Sequence, residues 1–453
     1  MQRKQREFFD SGKTKDLNFR RKSLDKLQEM ILEKEEKIFE ALYRDLGKPT
    51  TESYTSEIDY VLKEIQLHKK KLNTWTGTKK AKTSLINRPG KSYWQYEPLG
   101  RTLIIAPWNY PLGLLFTPLV GAISSGNCAV VKPSEVAENT SKLIAEIIDS
   151  TFDEEYIACV EGGAEATQEL INKNLDFVFF TGSSAVGKKI YQAAAKNLIP
   201  VVLELGGKNP CIIDSEIDLE VTVRRLAWGK YFNAGQTCVA PDHAYVHESL
   251  KDQFLSKMKE TIISFYGEEP KESKDLARII NEKHFLRLEE MLSNGKVFHG
   301  GETDENEKFI SPTILIDVDE DSKCMQEEVF GPILPVLFYD DLSDLLDKMK
   351  KKEKPLALYF FSKNKEKQDL VLRESSSGNV CINGTIHHII SHELPFGGVG
   401  LSGMGKYHGE ASIDAFSQKR SVLNKSFMLD MTKVYPPYET AIELLKKVSK
   451  ILY

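Results

Sequence analysis

The chain has 453 residues, of which 41% are hydrophobic and 28% charged, with a formal net charge of -5. That length exceeds what one core can organise, so two or three domains of a globular protein are expected. The slightly acidic balance gives no reason for a nucleic-acid partner, and six cysteines without a CxxC pair argue against both a disulfide framework and a metal site. Met1 to Asp16 is polar and mixed in charge, with no apolar core, so no secretory signal is expected and a reducing cytoplasm fits best.

Residues 17–76 read as helical and heavily charged. Ile58, Val61, Leu62, Ile65 and Leu72 recur near the helical period, and Gly47 with Pro49 stops the preceding helix. The charged stripe is expected to be a solvated face over a packed one. Asn87-Arg-Pro-Gly90 is a turn signal, and Lys91 to Tyr96 is rich in strand-forming aromatics. A projecting hairpin follows, either an arm for a subunit interface or an ordinary surface hairpin. Thr102 to Val131 carries no charged residue and is long enough to span a bilayer. Its many Pro, Gly and Asn residues fit a buried strand, loop, helix and strand instead, so no membrane span is expected.

From Arg101 the pattern becomes regular. Short apolar runs at Leu103–Ile105, Ala129–Val131, Ile157–Val160, Phe177–Phe180 and Val201–Leu203 recur about every 25 residues, with helical segments such as 139–151 and 164–173 between them. This alternation predicts right-handed crossovers and a doubly wound parallel sheet, which binds ligands at the carboxyl ends of its strands. The fold class is α/β.

The loops at those strand ends carry the candidate residues. In Pro107-Trp-Asn-Tyr-Pro111 two prolines stiffen a short loop, and Asn109 either donates to a developing oxyanion or satisfies a tight turn. Lys132 and Glu135 meet ribose hydroxyls or form a surface ion pair. Phe180-Thr-Gly-Ser-Ser-Ala-Val-Gly187-Lys-Lys189 places Gly182, Ser183 and Gly187 at a strand-to-helix junction, where amides approach a pyrophosphate. Lys189 stands where a P-loop needs Ser or Thr for magnesium, which disfavours a nucleoside triphosphatase. Glu204 ends the fifth strand ahead of Gly206 and Gly207. An apolar strand end would favour its acid form, as suits a general base; an acidic strand cap is the other reading.

Cys238 lies in the polar bend Tyr231 to Pro241, among Gly235, Gln236 and Thr237, rather than in an apolar run. A thiolate nucleophile needs partial exposure and positive potential or amide dipoles, whereas a lone intracellular cysteine is more often a small buried hydrophobe. A second alternating region runs to about Asn383, with an amphipathic helix expected over 277–292 and strands at 356–361 and 379–382. Within it, Glu327-Glu-Val-Phe-Gly-Pro332 offers Glu328 to a ribose and Phe330 to a flat ring, although alone it is only a loop. Leu394 to Gly405 is glycine-rich and reads as close-packed loop near the site. The end, 441–453, is amphipathic and basic; it could lie on a membrane surface, but packing on the body or a second subunit is the expectation.

Taken together, PWNYP, KPSE, FTGSSAVG, LELGGKNP, GQTCVAP, EEVFGP and PFGGVGLSGMG stand in the order found in the aldehyde dehydrogenase superfamily, which the chain resembles over nearly its whole length. The short N-terminus, GQTCVAPD and GMGKYHGEASIDAFSQKRS with Tyr435-Pro-Pro are similar to the class 3 branch. The resemblance implies Cys238 as nucleophile and Glu204 as the base that activates the deacylating water. It implies an oxyanion hole from Asn109 and the Cys238 amide. It assigns Lys132 and Glu135 to the adenosine ribose, Gly182, Ser183 and Gly187 to the pyrophosphate turn, and Glu328 and Phe330 to the nicotinamide riboside.

It further implies a Rossmann-like NAD(P)-binding domain (1–82 and 99–206), an α/β catalytic domain (207–400), a small β bridging arm for oligomerisation (83–98 and 415–427) and a tail (428–453), in a homodimer. The cofactor would be NAD, because Glu135 should repel a 2'-phosphate; class 3 relatives often accept NADP as well. The substrate would be a medium- or long-chain aliphatic, or an aromatic, aldehyde. With both the nucleophile and the hydrolytic base present, a hydrolytic enzyme is favoured over acyl-CoA-forming relatives. The alternatives are a P-loop-like nucleotide-binding protein without dehydrogenase activity, against which Lys189 stands, and a cysteine hydrolase, for which no histidine motif accompanies Cys238.

Overall fold

The computed structural model describes residues 2–430, 435–438, 442, 443 and 446; apart from those last three positions, the amphipathic end at 441–453 lies outside the described residues. Two compact units are present, Met1–Trp75 with Pro98–Ser417, and Thr76–Glu97 with Gln418–Tyr453.

In the larger unit, the apolar runs after Arg101 form five parallel strands, Arg101–Ile105, Cys128–Lys132, Ile157–Cys159, Phe177–Thr181 and Val201–Glu204. Residues such as Leu103, Ile104, Val130, Val178 and Phe179 are buried, as strands covered on both faces require. The first strand is central, with Cys128–Lys132 and then Ile157–Cys159 on one side and Phe177–Thr181 and then Val201–Glu204 on the other. The winding direction therefore reverses between Arg101–Ile105 and Phe177–Thr181. A crevice opens at such a reversal, beyond the strand ends. Gly403–Met404 adds a short antiparallel edge beside Glu204.

The uncharged run Thr102 to Val131 is the first strand, a loop, the wholly buried helix Gly113–Ser125 and the second strand. Among the described residues no helix is long and apolar enough to cross a membrane. The charged N-terminal stretch forms helices Leu17–Glu33, Glu35–Leu46 and Asp59–Thr76, with Gly47 ending the second in a left-handed conformation. Its apolar stripe (Leu27, Ile31, Leu42, Val61, Ile65) packs into the same core as the Gly113–Ser125 helix.

A second sheet contains six parallel strands, Pro210–Ile213, His243–His247, Thr313–Ile316, Ile333–Tyr339, Ala357–Phe361 and Asn379–Ile382, with Lys296–His299 antiparallel at one edge. The helix expected over 277–292 is shorter and spans Glu282–Met291. Asn281 caps it, its side chain accepting from the His284 amide at 3.0 Å, and this fixes the start. Ile279 and Ile280 before it are instead bonded to Lys308 and Gln236.

In the smaller unit, Lys91–Pro98 lies between Lys79–Ala81 and Ser417–Asn424 in a three-stranded sheet. The strand expected at Lys91 to Tyr96 is present, and Gly90 closes its turn on the Asn87 carbonyl at 2.8 Å.

Candidate active site

At the winding reversal lies a cavity of about 210 Å³. Asn109, Glu204 and Cys238 line it, and so do Gly182, Ser183, Glu328 and Phe330. Seven residues from five separated motifs therefore meet at one place. Lys132, Glu135 and Gly187 are not among its walls.

Cys238 follows an abrupt reversal of the chain. The helix Leu219–Tyr231 ends, and Asn233, Ala234 and Gly235 take positive φ values of 54°, 51° and 73°. A Cβ on Gly235 would come within 2.2 Å of the Gly331 carbonyl, so only glycine fits there. The loop is then clasped by buried side chains. Gln236 Nε2 donates to the carbonyls of Asn233 (3.1 Å) and Arg278 (2.9 Å), and its Oε1 accepts from the Ile280 amide (3.0 Å). Asn209 donates to the Cys238 carbonyl at 2.7 Å, the Tyr359 hydroxyl donates to that of Val239, and Tyr110 and Thr237 share a 2.6 Å hydroxyl bond.

The Cys238 side chain is half-buried. Burial pushes its thiol up to about 12, the carboxylates of Glu328 and Glu204 push the same way, and the amides of Cys238 and Val239 oppose them. Amide dipoles, rather than a neighbouring cation, are thus what favour its thiolate.

Glu204 is the last residue of Val201–Glu204 and is only 3% exposed. Among the described residues neither carboxyl oxygen has a hydrogen-bond partner. A Cβ on Gly397 would lie 2.8 Å from Oε1, so the glycine-rich segment 394–405 makes the space that this carboxyl occupies. Burial holds the group well above the usual carboxylate range, with Lys406 acting against it, as expected for an apolar strand end. A buried carboxyl left without partners costs stability. Its retention beside Cys238 points to a group reserved for a ligand or water.

Asn109 is buried, and its side-chain amide donates to the Gln236 carbonyl at 3.0 Å. One amide hydrogen therefore remains for the cavity. Its own carbonyl accepts from Asn233 Nδ2 (3.0 Å) and Lys48 Nζ (3.1 Å), so both ends of the residue are fixed.

On the other flank, Ser183 caps the helix Ser184–Ala195, its Oγ accepting from the Val186 amide at 3.4 Å. That helix has no acidic residue in its first turn, which leaves its N-terminus suited to an anion. Gly187 serves packing: a Cβ there would meet Leu205 Cδ2 at 2.6 Å. Lys132 and Glu135 pair with each other at 3.2 Å, one buried and the other half-exposed, in the ion-pair arrangement that the sequence left open.

Glu328 lies over the Gly206 backbone, where a Cβ would come within 2.2 Å of its Oε2. Burial and Asp242 push it up to about 8, and the Gly207 amide bonds it. Phe330 takes a left-handed φ of 49°, its ring edge-on to Trp108 at 5.4 Å between centroids. Arg287 fixes this loop through the carbonyls of Glu328 (3.1 Å) and Val329 (2.6 Å), and Asp242 through the Val329 amide (2.7 Å). A glycine-lined helix start beside a slot of aromatic rings and an acidic hydrogen-bond acceptor fits a dinucleotide. Trp108, Gln236 and Phe396 lie inside motifs already singled out, whereas Arg287 and His284 had no signal beyond an amphipathic helix.

A family model described as "Aldehyde dehydrogenase family" matches residues 3–422. The chain is 46% identical over 445 residues to the 4,4'-diaponeurosporen-aldehyde dehydrogenase of Staphylococcus aureus, covering 98% of this chain and 97% of that protein. It is 45% identical over 434 residues to the "Aldehyde dehydrogenase, dimeric NADP-preferring" of Rattus norvegicus, covering 95% and 96%. A solved structure described as the substrate-bound state of Staphylococcus aureus AldH superposes with a TM-score of 0.96 at 46% identity, over 98% of each chain.

Proposed function

Since the chain belongs to the aldehyde dehydrogenase family, an oxidoreductase that converts an aldehyde to its carboxylic acid with NAD or NADP, we propose how its residues divide that work. Cys238 attacks the aldehyde carbonyl and forms a thiohemiacetal. The remaining amide hydrogen of Asn109 and the backbone N–H of Cys238 hold the oxyanion. A dinucleotide held by Ser183, Glu328 and Phe330 would supply the hydride acceptor for this oxidation, and Cys238 is left carrying the thioester. Glu204 then takes a proton from water, which attacks the thioester and frees the acid.

Ser183 and the N-terminus of its helix hold the pyrophosphate, with Gly182 beside them in the cavity wall and Gly187 letting the helix pack on Leu205. Lys132 and Glu135 hold the adenosine ribose, the acidic partner favouring NAD. Glu328 and Phe330 hold the nicotinamide riboside. The single observation that carries the reading is that Cys238 shares one small cavity with a buried Glu204 whose two oxygens lack partners.

The domain limits drawn from the sequence (1–82 with 99–206, 207–400, 83–98 with 415–427) go with this reading. So does a homodimer, supported by half-buried Tyr93, Trp94 and Tyr96 on the arm strand, which a second copy could cover. A cytoplasmic setting is supported by six free cysteines. The apolar walls supplied by Leu114, Phe396 and Tyr407 support a medium- or long-chain aliphatic, or an aromatic, aldehyde.

The test is reduced-cofactor absorbance with NAD and NADP against a panel of aldehydes, wild type beside Cys238→Ala. Turnover confined to wild type is expected. Turnover in Cys238→Ala, or none with any aldehyde, would overturn the assignment.

A further inference from the structure

Two charges sit behind the Asn109 loop without access to water. Lys48 Nζ lies 2.7 Å from Glu57 Oε1, and both side chains are 0% exposed. Each end of the pair grips the loop. Besides Glu57, Lys48 Nζ donates to the Asn109 carbonyl at 3.1 Å and lies over the Tyr110 ring at 4.2 Å from its centroid. The ammonium is thus met by one carboxylate, one carbonyl and one ring face. Glu57 Oε2 accepts from the amides of Leu112 (3.1 Å) and Gly113 (2.7 Å), at the start of the helix Gly113–Ser125. One ion pair therefore clasps both sides of the rigid turn that carries Asn109.

Stability is a poor explanation for such a pair. Removing two ions from water is costly, and apolar replacements of similar volume are often at least as stable. Fixing a geometry is a better one, because a displacement of about 1 Å at a reacting group can cost about a hundredfold in rate.

We propose that Lys48 and Glu57 form a positioning dyad: together they set the Asn109 backbone so that its amide faces the oxygen of the thiohemiacetal. The dyad touches no reacting atom and acts through Asn109, so it rests on the reading of Asn109 as oxyanion donor.

The test removes both charges together, as Lys48→Met with Glu57→Gln, in the wild-type and in the Asn109→Ala background. kcat, KM for the aldehyde and Tm are measured in each. The dyad predicts a kcat loss of about 10- to 100-fold in the wild-type background with KM within about threefold. In the Asn109→Ala background the same change should cost less than about twofold, because the group it positions is gone. Lys48→Arg, which keeps the charge but moves the donor, should give an intermediate kcat loss and serves if the double variant fails to fold. Equal losses in both backgrounds, or a lowered Tm with kcat unchanged, would overturn the dyad. Full kcat in Asn109→Ala alone would overturn the oxyanion reading, and the dyad's purpose with it.

Discussion

Around Cys238 the loop is clasped by its own buried Asn233 and Gln236 and by Asn209 and Tyr359 from farther along the chain, while on the other flank Lys132 bonds the exposed Glu135 and the adjacent Pro133 carbonyl and Ser183 caps its own helix. The first arrangement is finished before any ligand arrives. Under the proposed reading, the second consists of groups that would exchange their present partners for a ribose or a pyrophosphate. Preorganisation therefore lies where charge develops, and adaptability lies where binding occurs.

The largest effect should come from breaking the clasp. Gln236→Leu would leave the Arg278 carbonyl and the Ile280 amide without their partner, while the Asn233 carbonyl keeps the backbone amide of residue 236. At about 1–3 kcal/mol for each of these two groups, stability should fall by about 2 kcal/mol or more in urea unfolding. A loss under about 1 kcal/mol would mean that the loop is held by other means.

Next is the thiol itself. With Cys238 pushed up to about 12, the thiolate fraction in the ligand-free protein rises with pH throughout the accessible range. Iodoacetamide labelling of Cys238 should accelerate by about tenfold per pH unit between roughly pH 7 and 9. A plateau in that window would show that amide dipoles outweigh burial.

The dinucleotide flank should respond differently. Lys132→Met removes a pair whose acid is half-exposed. Unfolding free energy should move by less than about 1 kcal/mol, while KM for the dinucleotide rises by about tenfold with kcat within about twofold. Ser183→Ala should be milder still. Its 3.4 Å cap is long, so the stability cost belongs near the low end of about 0.5–2 kcal/mol, with a severalfold rise in KM for the dinucleotide. A large kcat effect from either substitution would erase the distinction between the two flanks.

The sheet of the crevice was legible because strands buried on both faces are short apolar runs, and the residues that meet at the cavity were legible because they sit in compact, ordered motifs. What holds them was not. Lys48, Glu57, Glu64 and His68 belong to a helical stretch so charged that it reads as solvated, yet all four are buried, and Glu64 bonds both His68 (3.0 Å) and His392 (2.7 Å). Only packing against elements far along the chain decides which charges go inside. The clasp of Cys238 has the same character: Asn209 is 29 residues away and Tyr359 reaches back 120. The helix that begins at Glu282 rather than 277 shows a local limit, since an apolar run alone does not reveal that Asn281 caps it.

In the proposed mechanism Cys238 and Glu204 perform separate halves of one reaction. Pre-steady-state absorbance of the reduced cofactor in Glu204→Gln, with a turned-over aldehyde in excess, tests this most directly. A burst of about one reduced cofactor per active site is expected, followed by almost no turnover, as the thioester on Cys238 awaits an activated water. Steady turnover near the wild-type rate in Glu204→Gln, or the absence of any burst, would contradict it.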